Sequence, residues 1–90
     1  MFQAERKVPG GKLVRVKADI DGSVIRSVRI EGDFFVHPEE GLAALESSLV
    51  GKEAGDIESM RAALTKTVGD EGLELIGFSI DDLVSLIGGK

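Results

Sequence analysis

Few side chains in this chain of 90 residues could do chemistry on their own, because it contains one His and no Cys. A Ser-His-acid site needs a His that a carboxylate orients and that is free to accept a proton. His37 instead precedes a Pro at a predicted helix start, where a capping or surface role is expected. Asp81 and Asp82 are adjacent on a predicted helix and point apart, which does not suit paired acid/base catalysis. The ligands of a zinc site are also missing, so we predict no catalytic residue and no metal in this chain.

The sequence gives little support to phosphate binding or base stacking. Gly10, Gly11 and Lys12 superficially resemble a phosphate-binding loop, but they precede a predicted strand, whereas a P-loop follows a strand and opens a helix. The chain has no Trp or Tyr. Phe34 and Phe35 are consecutive in a predicted strand and should face opposite ways, so no base-stacking platform is expected.

The net charge of −5 is unevenly divided along the chain. Residues 1–36 hold seven basic and five acidic side chains, whereas residues 37–90 hold four basic and eleven acidic ones. Nucleic-acid binding requires a broad basic face, which this balance does not favour. No apolar run approaches the ~20 residues of a membrane span, and no signal peptide opens the chain. We therefore expect a cytoplasmic protein that binds neither nucleic acid nor membrane.

The segment from Lys12 to Phe35 is predicted to form a β-hairpin around which the rest of the chain is organised. Apolar and polar residues alternate along its first half, as in a half-buried strand. Asp21-Gly22 suits a two-residue type I′ turn. A β-bulge at Arg26-Ser27 is needed to keep the apolar residues of both strands on one face.

This register assigns cross-strand partners and separates the two Phe side chains. The predicted pairs are Ala18 with Ile25, Val16 with Val28, Val14 with Ile30, Arg15 with Arg29, Lys12 with Gly32, and Gly10 with Phe34. Phe34 then lies on the apolar face, which the helices cover. Phe35 lies on the opposite face, where an exposed aromatic ring is a candidate anchor for a partner.

Beyond Phe35 the hydrophobic period changes from 2 to 3.6, which predicts three helices. The predicted limits are His37-Pro38 to Gly51, Asp56 as N-cap to Gly69, and Ser79 to Gly88-Gly89. Ser79-Ile80-Asp81-Asp82 resembles a capping box at the start of the third helix. Residues 73–78 form an apolar connector left open between a short strand and a loop. Residues 1–11 are expected to be a leader, with Glu5, Arg6 and Lys7 exposed and a turn at Val8-Pro9-Gly10-Gly11. The predicted fold is α+β, a small antiparallel sheet (the bulged hairpin) with about three helices on one face, in a single domain over residues 1–90.

Three motifs lie in a characteristic order along the first half of the chain. They are Gly10-Gly11-Lys12 before the first predicted strand, Ile30-Glu31-Gly32-Asp33-Phe34-Phe35 at the end of the second, and Leu45-Glu46-Ser47-Ser48-Leu49-Val50-Gly51 in the next helix. In this order and spacing they resemble the accessory C-terminal domain of lipoate–protein ligases, over about residues 7–51. The catalytic domain of those ligases, with its Arg-Arg-x-x-Gly-Gly-Gly loop and adenylating lysine, is absent. The chain therefore resembles the separate small subunit of a split, archaeal-type ligase.

The resemblance implies an accessory, non-catalytic subunit of a two-protein lipoate–protein ligase. The assembled complex would use ATP, Mg and lipoate to form lipoyl-AMP, and would then transfer the lipoyl group to a lysine of a lipoyl domain. The implied partners are a catalytic subunit, in a heterodimer, and the lipoyl domains of 2-oxoacid dehydrogenase complexes or the glycine cleavage H protein as substrates. This chain alone would bind no cofactor and would help to close the active site during adenylation.

Candidate site residues follow from the resemblance and the predicted register together. Lys12, with Gly10 and Gly11, is the candidate for supporting adenylation. The candidate partner interface comprises Gly32, Asp33, Phe35, Arg15 and Arg29. Two other functions stay open, one being an interaction module that binds a protein through an open sheet edge. The other is a regulatory domain that binds a small anionic ligand on the Arg15/Lys17/Arg29 face, because two Arg side chains placed opposite each other call for a counterion.

Overall fold

The predicted hairpin forms two strands of a three-stranded antiparallel sheet in the computed structural model, which describes residues 2–8 and 12–88. Strand β2 (Lys12–Asp21) is central, between β1 (Phe2–Val8) and β3 (Val24–Gly32). A separate two-stranded antiparallel sheet pairs β4 (Phe35–His37) with β5 (Glu74–Ile76). The helices are α1 (Gly41–Leu49), α2 (Ile57–Glu71) and α3 (Ile80–Gly88). The α+β prediction is therefore confirmed, although the sheet structure is richer than one hairpin.

The N-terminal segment is a strand, and the prediction of a leader was wrong there. β1 pairs with β2 over its whole length, with Ala4 opposite Val16 and Glu5 opposite Arg15. The prediction that Glu5 to Lys7 are exposed is confirmed. This charged run interrupts the alternation of apolar and polar residues in the sequence, so the strand was not predicted. Its half-buried residues are Phe2, Ala4 and Val8. The predicted turn begins at Val8, the last residue of β1, and its other residues, 9–11, lie outside the described residues.

The hairpin turn lies one residue later than predicted. Asp21 pairs with Val24, so the two-residue loop is Gly22-Ser23 instead of Asp21-Gly22. Gly22 has a φ of 66°, and positive φ at the first loop residue alone is the pattern of a type II′ turn. The predicted type I′ turn would have placed Asp21 at positive φ as well. In the observed loop only Gly22 has a positive φ, which glycine adopts without steric cost because it has no side chain.

The β-bulge lies where it was predicted, but the later turn shifts the pairs on its far side by two residues. Ile20 pairs with Ile25 and Asp19 with Ser27, which leaves Arg26 as the extra residue. The observed pairs beyond it are Ala18 with Val28, Val16 with Ile30, Val14 with Gly32, Arg15 with Glu31 and Lys17 with Arg29. A shift of two residues leaves each side chain on the same face of the sheet. The predicted apolar face is therefore confirmed, whereas the predicted cross-strand partners were wrong.

The hydrophobic core lies between that face and the helices. Its fully buried members include Val14, Val16 and Ile25 from the sheet. The helices contribute the apolar residues expected from the 3.6 period, including Leu45, Leu49, Met60, Leu64, Leu83, Val84 and Ile87. The helical stripes predicted from the sequence are thus confirmed as the core-facing surfaces.

Helix α1 begins later than its predicted start at His37-Pro38. His37 belongs to β4, where it pairs with Glu74, so the chain needs a turn before a helix can begin. In that turn the Gly41 amide donates to the Pro38 carbonyl at 2.9 Å. A side chain at Gly41 would collide with Leu73, so the first turn of α1 packs directly on the chain that enters β5.

The other predicted helix ends are partly confirmed. Asp56 caps α2 as predicted, its carboxylate accepting from the Ser59 amide at 3.1 Å. The helix runs through Gly69 and ends at Gly72, whose φ of 64° is the left-handed conformation typical of a C-terminal glycine. Ser79 and Asp82 cap α3 reciprocally, as expected. The Ser79 amide donates to Asp82 Oδ2 at 2.8 Å, and the Asp82 amide donates to Ser79 Oγ at 3.2 Å.

The outer edge of β3 is closed by the segment that follows it. The Ile30 amide donates to Glu46 Oε2 of α1 at 2.8 Å. Near the hairpin turn, the Ile25 amide donates to the Lys52 carbonyl and the Ile25 carbonyl accepts from Gly51. These hydrogen bonds protect the outer edge of β3 from pairing with a strand of another chain. None of the helices in residues 2–8 and 12–88 is long and apolar enough to cross a membrane.

Candidate functional site

Lys12, the candidate for adenylation support, lies at the end of the molecule where the two sheets meet. It is the first residue of β2 and is exposed. A Cβ built on Gly77 would lie 3.3 Å from Lys12 Cγ and 3.3 Å from Phe34 Cβ. The lysine stem therefore passes beside Gly77, directly after β5. Gly10 and Gly11, predicted to act with Lys12, lie outside the described residues.

The two adjacent Phe side chains have different environments, as predicted. Phe34 is half-buried, and its ring centroid lies 4.5 Å from that of Phe78. Phe35 is 70% exposed. The predicted surroundings of Phe35 were wrong, however, because it begins a separate strand in the two-stranded sheet. It does not continue the sheet face that carries Arg15 and Arg29.

Ile76 is the apolar neighbour of Phe35. The two residues are cross-strand partners in the β4–β5 sheet, and Ile76 is 45% exposed. We call this pair the Phe35–Ile76 patch. The sequence analysis missed Ile76 because residues 73–78 were left unassigned. Burial alternates there, since Leu73 is buried and Leu75 half-buried while Glu74 and Ile76 are exposed. Because Ile76 is itself apolar, the sequence does not show this alternation.

Gly32 and Asp33, both predicted at the partner interface, connect β3 to β4. Gly32 has a φ of 148°, and a side chain there would collide with the Leu13 carbonyl. The Asp33 amide donates to that same carbonyl at 2.9 Å. Gly32 therefore has a structural reason for lacking a side chain. This close approach lets the chain leave the large sheet and place Phe34 inward and Phe35 outward.

The basic residues of the uncovered sheet face are arranged differently from the prediction. Arg15 does not lie opposite Arg29; it pairs with Glu31 across the strands, and its Nε donates to Glu5 Oε1 at 3.1 Å. Arg29 lies opposite Lys17, whose Nζ is 3.8 Å from Glu31 Oε1.

These pairings remove the basis for an anion site on that face. A shallow depression of about 310 Å³ lies over β2 and β3. Its lining contains two cations, Lys17 and Arg29, and two carboxylates, Asp19 and Glu31. Lys17 and Arg29 are directly opposite each other, and the two carboxylates balance their charges, with Glu31 Oε1 at 3.8 Å from Lys17 Nζ.

The remaining candidates for acid/base chemistry are engaged in structural contacts. Asp81 accepts from Arg61 Nε at 3.0 Å, and Asp82 caps α3. His37 is exposed and lies opposite Glu74. In the part of the chain that the structure describes, no three His, Asp or Glu side chains are grouped so as to hold a metal ion. The site of interest is therefore a surface, formed by the Phe35–Ile76 patch and Lys12.

Comparison with known proteins extends the resemblance seen in the sequence. Residues 1–87 match the family described as bacterial lipoate protein ligase C-terminus, a longer stretch than the residues 7–51 recognised from motifs. A curated relative, lipoate-protein ligase A subunit 2 of Thermoplasma acidophilum, is 40% identical over 60 residues. That alignment spans 67% of this chain and 63% of the relative, which is less than two thirds of the relative's length.

A solved structure supports the same assignment. The fold is similar, with a TM-score of 0.79 and 29% sequence identity, to a chain of an archaeal lipoylation system from T. acidophilum, a bipartite lipoate protein ligase and its E2 lipoyl domain. The similarity covers 97% of this chain and 93% of the other. Because the family match runs through nearly the whole sequence, this chain belongs to the family of bacterial lipoate protein ligase C-terminal domains.

Proposed function

We propose that this chain is the accessory subunit of a two-protein lipoate–protein ligase. In this proposal it is needed when the complex activates lipoate with ATP to form lipoyl-AMP, before the lipoyl group passes to a lysine of a lipoyl domain. The lipoyl domains of 2-oxoacid dehydrogenase complexes and the glycine cleavage H protein are the proposed substrates. We also infer a cytoplasmic location, since the reaction consumes ATP.

One observation carries the proposal, which is the match of residues 1–87 to a ligase C-terminal family. The relative that is 40% identical is named as a second subunit, and the similar solved chain comes from a bipartite ligase system. Both point to a ligase in which this fold is a separate polypeptide. Its catalytic subunit is then the partner of this chain, in a heterodimer.

The proposed contribution of this chain is closure of the active site. We assign the binding of lipoate and MgATP, the substrates, to the catalytic subunit. Closure excludes water and completes the electrostatic surroundings of the phosphates. Lys12 is the residue we place nearest to that chemistry, because it is exposed at the margin of the Phe35–Ile76 patch.

The experiment is lipoate-dependent ATP–pyrophosphate exchange with each purified protein alone and with both mixed. We expect no exchange by this chain alone and strong exchange by the mixture. Exchange by the catalytic protein that is unchanged on adding this chain would contradict the proposal. Transfer from preformed lipoyl-AMP, measured in parallel, separates a role in activation from a role in transfer.

An interaction module that binds through an open sheet edge is the alternative function. The structure favours it less, since Glu46 and the α1–α2 connection cover β3. The other edge strand, β1, carries the charged run Glu5, Arg6 and Lys7. Arg6 lies opposite Val14, and its guanidinium is 4.0 Å from Asp82 of α3. Lysines and inward-directed charges of this kind discourage pairing with another strand.

A further inference from the structure

We propose that the Phe35–Ile76 patch is the anchor through which the catalytic subunit binds this chain, with Lys12 at the margin of the same interface. This inference rests on the proposed function and adds the location of the contact. It also places that contact off the sheet face that carries Arg15 and Arg29, whereas the sequence analysis grouped Phe35 with these two residues.

The patch brings exposed large apolar side chains together at one place on the surface. Among residues 2–8 and 12–88, the exposed large hydrophobic side chains are Phe35, Ile76 and Val50. Two of the three are direct cross-strand partners, which puts their side chains about 5 Å apart at Cβ. Apolar residues scattered singly on a surface need no explanation, whereas contiguous exposed apolar residues are a feature of interaction sites.

The two strands that carry the patch are packed on the hydrophobic core. On the inner face of the same two strands, Val36 is 8% exposed and belongs to the hydrophobic core, with Leu75 packed against it. The first turn of α1 approaches these strands closely, since a Cβ built on Gly41 would overlap Leu73 Cδ2 and lie 3.0 Å from Val36 Cγ1. An anchor held by buried neighbours loses little conformational entropy when a partner covers it.

The position of the patch favours the catalytic subunit over a second copy of this chain. Gly77 follows Ile76 in the chain and lies beside the stem of Lys12. A protein that covers the patch therefore also reaches Lys12, the residue proposed to act near the phosphates. Charges of both signs lie near the patch, as in the polar rim of an interface, including Lys12 at the start of β2 and Glu74 in β5.

The test compares Phe35→Ala and Ile76→Ala with Val50→Ala as the matched control. Val50 is 48% exposed, close to the value for Ile76. It precedes Gly51, whose amide bonds to Ile25 near the hairpin turn. Strand β3 separates that end from Phe35 by about 20 Å. Each variant is titrated by calorimetry with the purified catalytic subunit of the same organism, and its thermal melt and sedimentation behaviour are recorded.

We expect Phe35→Ala to raise the Kd about 30-fold and Ile76→Ala about 10-fold, with Val50→Ala unchanged and all melting temperatures retained. Phe35→Leu should recover most of the affinity, because the contact is apolar. Wild-type affinity in both patch variants would overturn the inference and leave the proposed function intact. The same would follow if sedimentation showed that the variants lose self-association while calorimetry showed wild-type binding to the catalytic subunit. Failure of the wild-type chain to bind the catalytic subunit would overturn both.

Discussion

The contact between Glu46 and the edge of β3 allows a quantitative test of how the fold is held together. Glu46 Oε2 accepts from the Ile30 amide at 2.8 Å in a partly buried position. Glu46 belongs to the third motif of the ligase resemblance, residues 45–51, so this motif residue has a structural role. Without it, the Ile30 amide would lie at the strand edge beneath α1 with no acceptor.

The change Glu46→Ala should destabilise the domain by about 1–3 kcal/mol, the cost of leaving a buried donor unpaired. The higher helix propensity of Ala offsets a few tenths of a kcal/mol of that cost. Since 1 kcal/mol corresponds to roughly 4–8 °C in a domain of this size, we expect the melting temperature to fall by about 5–15 °C. Glu46→Gln keeps a carbonyl acceptor and should lose only about 1 kcal/mol, the difference between charged and neutral acceptors.

The assays are thermal melts of the variants and hydrogen exchange of the Ile30 amide. Ser47→Ala is the control, since it changes an exposed neighbour on the same helix and should stay within about 0.5 kcal/mol of wild type. Exchange at Ile30 should accelerate in Glu46→Ala and much less in Glu46→Gln. A melt and an exchange rate equal to wild type in Glu46→Ala would refute this account of the β3 edge.

Three further predictions concern the site and its scaffold. Lys12→Ala should leave the melting temperature unchanged, since the side chain is exposed, and should slow lipoyl-AMP formation by the complex on the order of 10²-fold in the exchange assay. Equal rates would remove Lys12 from the site. Phe34→Ala should cost about 3 kcal/mol of stability because its ring packs on Phe78, whereas Phe35→Ala should leave the thermal melt unchanged; equal losses would contradict the assigned environments. Gly32→Ala should destabilise by more than about 2 kcal/mol because a side chain would strike Leu13. Gly69→Ala, in open space inside α2, should stabilise by about 0.5–1 kcal/mol, and denaturant unfolding that ranks the two variants the other way would contradict the reading of Gly32.

Local patterns in the sequence determined much of this protein. Alternation in β2 and β3 defined the buried face, and the 3.6 period defined the buried stripes of all three helices. Short polar patterns located the caps at Asp56 and at Ser79 with Asp82. These features could be predicted because each depends on residues within a few positions of one another. The motif order indicated the ligase family, which the match over residues 1–87 then showed.

The hairpin register required more than local patterning. Sequence reasoning placed the bulge correctly, yet the turn moved by one residue and the pairs beyond the bulge by two. A shift of two leaves the apolar face unchanged, so hydrophobic patterning cannot distinguish the two registers. The difference matters for the candidate site, because it paired Arg15 with Glu31 in place of Arg29 and placed Arg29 opposite Lys17.

The Phe35–Ile76 patch was decided by the tertiary structure alone. Its two residues are far apart in the sequence, on either side of α1 and α2, and each belongs to a strand of three residues. So short a strand shows too little alternation to be recognised by itself, and it forms only when the packed helices bring its partner alongside. The sequence could therefore mark Phe35 as exposed, but the packing of α1 against β4 and Leu73 supplied its neighbour.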